Sequence, residues 1–82
     1  MRNHIEILKE IDQVLSQGGF AEERQQLENE IRASSSGGEL CMMAGAKLLS
    51  FQISNSSINF SIGHLINEFI AYCHHNGLYP RP

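Results

Sequence analysis

From Leu40 onward the chain carries one acid, Glu68, and two bases, Lys47 and Arg81, whereas the first 39 residues hold eight acids and four bases. A segment so poor in charge cannot face water on every side, so the second half must supply most of the interior and the first half must help to cover it. At 82 residues this asymmetry belongs to one small domain, residues 1–82, rather than to two. Leu, Ile, Val and Phe make up 22 of those residues, enough for a core and too many for a disordered chain.

Gly and Ser punctuation divides the sequence into four segments, each with helical periodicity. The first runs from Asn3 to Gln17. Asn3 and Glu6 have the spacing of a capping box, and Gly18-Gly19 supplies a left-handed stop. Ile7, Leu8, Ile11, Val14 and Leu15 fall within one arc of roughly 120°, so this helix buries a single face. The second segment, Phe20 to Ala33, is rich in helix formers but aligns only Phe20, Leu27 and Ile31, which predicts a peripheral, polar helix.

Ser34-Ser35-Ser36-Gly37-Gly38 reads as a connection between helices, and Ser36 with Glu39 forms a second capping box, so the third helix starts near Gly37 and continues to about Gln52. Leu40, Ala44, Leu48 and Phe51 line one face of it, and Met42, Ala46, Leu49 and Ile53 line another. Such a helix belongs in the middle of the molecule. The fourth helix is expected to begin between Ile58 and Ser61 and to end at Gly77, ahead of Pro80 and Pro82. Ile58, Ile62, Leu65, Ile66, Phe69, Ile70, Tyr72 and Cys73 cover about 160° of its circumference. Brief alternation from Ser57 to Ile62 offers a short strand as the main competing structure. The expected fold class is therefore all-α, a small up-down four-helix bundle with a peripheral polar second helix.

Several functions are excluded or disfavoured by the same residues. No basic stripe exists to neutralise phosphates, which argues against nucleic-acid binding. Lys47, Ser50 and Gln52 interrupt one apolar run and His64, Asn67 and Glu68 the other, so neither spans a membrane. The opening residues Met1 to Glu6 offer no continuous apolar stretch of a secretory leader, which predicts a soluble, cytoplasmic chain. Cys41 and Cys73 form no CxxC and sit in apolar runs, so they read as reduced, buried side chains rather than a disulfide framework. His64, Glu68 and His75 share the polar side of the fourth helix, but eleven residues place the two histidines about 16 Å apart, too far for one metal. Neither a metal nor another cofactor is expected.

Cys41, at the start of the third helix, is the best candidate nucleophile, yet Glu39 opposes its ionisation and no catalytic signature surrounds it. The chain is accordingly read as non-enzymatic. Helices three and four carry more apolar surface than helices one and two can shield, which predicts an interface at Met42, Met43, Gly45, Ala46, Leu49, Ile53 and Ile70. Ala44-Gly45-Ala46 would let another helix approach closely. A homodimer, the commonest symmetric assembly, or one protein partner would cover that surface. Two alternatives accompany this reading: a small-ligand or thiol-chemistry protein with a pocket near Cys41, Met42 and His64, and an inhibitor or immunity-type partner of a larger protein, suggested by the acidic first half.

Overall fold

The computed structural model describes residues 2–82; Met1, part of the opening segment considered above, lies outside them. Its elements are α1 (His4–Gln17), α2 (Ala21–Ala33), α3 (Gly37–Ser54) and α4 (Ser56–His75), with no strand among the described residues. None of these helices is long and apolar enough to cross a membrane. Each helix packs against the next and α1 closes against α4, giving the expected all-α four-helix bundle. Twenty residues of α4 rise about 30 Å, which matches the 31 Å long dimension of the molecule.

Local chemistry explains both ends of α1 and the end of α4, while α2 starts after Phe20 without a side-chain cap. Asn3 Oδ1 accepts from the Glu6 amide at 3.0 Å while the Glu6 carboxylate accepts from the Asn3 amide, so two otherwise unpaired amides of α1 are satisfied reciprocally. At the other end Gly19 takes φ +80°, and the Phe20 amide reaches back to the Leu15 carbonyl at 3.0 Å. The same arrangement closes α4: Gly77 has φ +76°, its amide donates to the His74 carbonyl, and the Leu78 amide donates to the Cys73 carbonyl at 2.8 Å.

The join between α3 and α4 differs from expectation. Helix four starts at Ser56 rather than at Ile58 or later, and Ser57 to Ile62 is helical. Asn55 is the cause. Its amide donates to the Phe51 carbonyl at 2.9 Å and ends α3, while its side chain accepts from the Ile58 amide at 3.1 Å and begins α4. One residue thus caps two helices, and the segment that could have formed a strand enters α4 instead.

The core consists of Ile7, Ile11 and Leu15 from α1, Leu48 and Phe51 from α3, and Ile58, Ile62, Leu65, Ile66 and Phe69 from α4, with smaller residues between them. Helix α2 contributes Leu27 alone as a fully buried residue, as its thin stripe predicts. No buried side-chain nitrogen or oxygen lacks a partner among the described residues. Helices α3 and α4 run antiparallel: Cys73 meets Cys41, Ile70 lies beside Gly45, and Gln52 donates to Asn67 at 3.3 Å.

The start of α1 is fastened to the far half of α4. Arg2 grips Glu68 through two nitrogens, at 2.9 and 2.6 Å, and also pairs with Glu10. His4 Nδ1 lies 3.2 Å from the Tyr72 hydroxyl. The Arg2 hydrogen bond holds the Glu68 carboxyl below its ordinary pKa. A carboxyl depressed in the folded state adds stability above its unfolded pKa, and that contribution disappears as acid protonates it. Arg2→Ala is therefore expected to return the Glu68 titration, followed by carboxyl NMR shifts, toward the usual glutamate range. It should also flatten the acid limb of stability against pH. An unchanged Glu68 midpoint would refute the pairing.

Candidate interaction surface

Of the five large apolar side chains exposed among the described residues, Met42 and Ile53 lie on the outer side of α3, and Ile5, Phe60 and Tyr79 lie elsewhere. Met42 is 38% exposed and Ile53 74% exposed, while Ala46 and Leu49 between them are half-buried. Steps of four, three and four residues along a helix keep these side chains on one line. That line runs about 16 Å along α3, opposite the face made by Cys41, Ala44, Leu48 and Phe51. Met43 is half-buried and lines, with Met42, Ala46, Lys47, Ser50, Glu30 and Pro82, an open groove of about 460 Å³. Ile70 and Leu49 are half-buried because they also pack on the core.

Gly45 departs from the sequence reading. It is fully enclosed by its own chain, because the residues after α4 turn back and lay Pro80 on it. A Cβ at position 45 would stand 2.6 Å from Pro80 Cγ and 2.8 Å from Pro80 Cβ. The close approach that Ala44-Gly45-Ala46 foreshadows is thus made to a proline within the chain, and Gly45 offers no surface to a partner. Tyr79 beside it stays exposed and packs its ring on His74, with centroids 4.9 Å apart. Gly45→Val is expected to displace Pro80 and to cost about 1–3 kcal/mol through overpacking. Loss of the ring-current shift of Tyr79 in NMR spectra would report the displacement, and an unchanged spectrum would contradict the packing described.

Phe60 lies outside the expected surface set, yet it is 93% exposed on the first half of α4. Its signal is available in the sequence: it falls outside the stripe formed by Ile58, Ile62 and Leu65 on the helical wheel.

The structure does not assemble the alternative pocket. Cys41 is buried against Cys73, Met42 points outward, and His64 is exposed on α4 nine residues before Cys73, about 14 Å along the axis. Burial raises the Cys41 thiol above its ordinary pKa, so it is protonated and weakly nucleophilic at neutral pH. Glu68 is taken by Arg2, and His75 is exposed at the end of α4. A second open groove, of about 550 Å³, lies between α1 and α2. Its floor is Leu8, Leu27, Ile31 and Leu40, and the Asp12–Arg24 ion pair, at 2.7 Å, stands on its rim.

Compared with protein-family models, curated proteins and solved structures, the chain matches none.

Proposed function

We propose that the chain is a non-catalytic interaction module that associates with a second copy of itself through α3, with α4 alongside. The observation that carries this reading is the outward apolar line of exposed Met42 and Ile53 with half-buried Ala46 and Leu49 between them. If two α3 helices meet antiparallel about a two-fold axis between Lys47 and Leu48, Met42 faces the second copy's Ile53 and Ala46 faces its Leu49. Leu49 then meets the small Ala46 near the axis, Met42 meets Ile53 at the two ends, and the same surface serves both partners, as an isologous contact requires. Glu39 and Lys47 are the only charged residues of α3, so little charge must be desolvated.

The contact is short, which places the association among weak ones, with a dissociation constant on the order of micromolar. Sedimentation equilibrium from about 1 µM to about 1 mM tests it. The expected result is a rise from one chain mass, 9.2 kDa, toward twice that value. A single 9.2 kDa species at every concentration would overturn self-association.

A further inference from the structure

We propose that Cys41 and Cys73 form a reversible intrachain disulfide that staples the start of α3 to the end of α4. The two cysteines are 32 positions apart in sequence, and the fold sets them face to face. Cys73 Sγ donates to the Cys41 carbonyl at 3.7 Å, so the Cys73 thiol lies against the residue it would bridge. Both are free and buried. One turn further along α3, Gly45 presents no side chain toward Ile70, whose Cδ1 stands 3.4 Å from where a Cβ would be. Ile70 of α4 thus packs directly on the α3 backbone one turn from Cys41, which holds the two helices close beside the cysteine pair.

The oxidant belongs to the class of small disulfides, such as oxidised glutathione. The Cys41 thiolate attacks one sulfur of that disulfide, forming a mixed disulfide and expelling one small thiolate. The Cys73 thiolate then attacks the Cys41 sulfur, the intrachain bond forms, and the second small thiolate leaves. Two electrons pass from the cysteine pair to the small disulfide, and the two cysteine protons end on the two released thiols. Excess small thiol reverses both steps.

Burial decides the rate. Desolvation raises both thiols, Cys73 to about 12, so each step waits for an opening that admits the reagent and ionises the sulfur. Both residues sit near helix ends, where openings cost least. The pair is consequently slow to oxidise, and in the bridged form it restricts the unfolded chain.

The experiment uses the full chain, incubated with oxidised glutathione at mildly alkaline pH, alkylated, digested and weighed. The expected product is a monomer lighter by two hydrogens, with a linked peptide pair containing Cys41 and Cys73. Its melting temperature should rise by roughly 10 °C or more and return after reduction. Cys41→Ala and Cys73→Ala should each lack both the product and the rise. Glutathione adducts without an intrachain link, links only between chains, thiols still free after prolonged incubation near the melting midpoint, or a bridged chain that melts lower would each overturn the proposal.

Discussion

Phe69→Ala is expected to cost about 3–5 kcal/mol, the usual range for emptying a phenylalanine site in a core that collapses only in part. Phe69 is the largest of the fully buried side chains, and it packs with Ile7, Leu48 and Ile66 in one continuous core. A chain of this size has a total stability of about 4–12 kcal/mol, so the loss takes much or all of it. Urea unfolding followed by circular dichroism should show the midpoint falling steeply, or no cooperative transition at all. Phe60→Ala, on the same helix, supplies the contrast. That ring is 93% exposed, so its removal should change stability by no more than about 0.5 kcal/mol. Equal effects at the two positions would mean that α4 is rotated from the orientation described.

Ile53→Asp is expected to weaken self-association by roughly 100-fold or more, because symmetry places the new carboxylate in the contact twice, each time against Met42 of the other copy. Glu39, one turn before Met42 on α3, adds like-charge repulsion. The folded monomer should tolerate the change: Ile53 is 74% exposed, and the main penalty is an acid near the carbonyl end of a helix, about 0.3–1 kcal/mol. Sedimentation would then report a single chain mass at concentrations where the parent protein pairs, with the helical circular dichroism unchanged. Retained pairing would remove Ile53, and the line it belongs to, from the interface.

What can be read from residues alone follows the range of the forces involved. Helix ends are set by contacts within a few residues, so Asn3 with Glu6, Gly19 and Gly77 behave as their spacing indicates, whereas Ser36 caps the Glu39 amide but the Glu39 carboxylate accepts from the Ser35 hydroxyl instead of closing the expected box. Burial of a face is likewise periodic, which is why the stripe from Ile58 to Cys73 on α4 is recognisable without knowing what packs against it. The start of α4 falls two residues earlier than expected because Ser56 and Ser57 resemble loop residues, while the deciding atom is on the Asn55 side chain. Two features depend on which distant residues meet, and periodicity carries no information about that. One is Pro80 resting on Gly45, and the other is the opposition of Cys41 and Cys73. The same reasoning explains the surface: the outward line on α3 is visible on a wheel, but the shielding of Gly45 by a proline from beyond the end of α4 is not.

Asn55 closes one helix and opens the next without an intervening residue. The elbow therefore has no slack, and a twist applied to α3 near Ile53 cannot be absorbed by a loop. It is delivered to the first turns of α4, where Phe60 stands in solvent and Ile58 and Ile62 anchor in the interior. Any rotation of one helix about this joint must therefore shift Ile58 and Ile62 within the interior that encloses both.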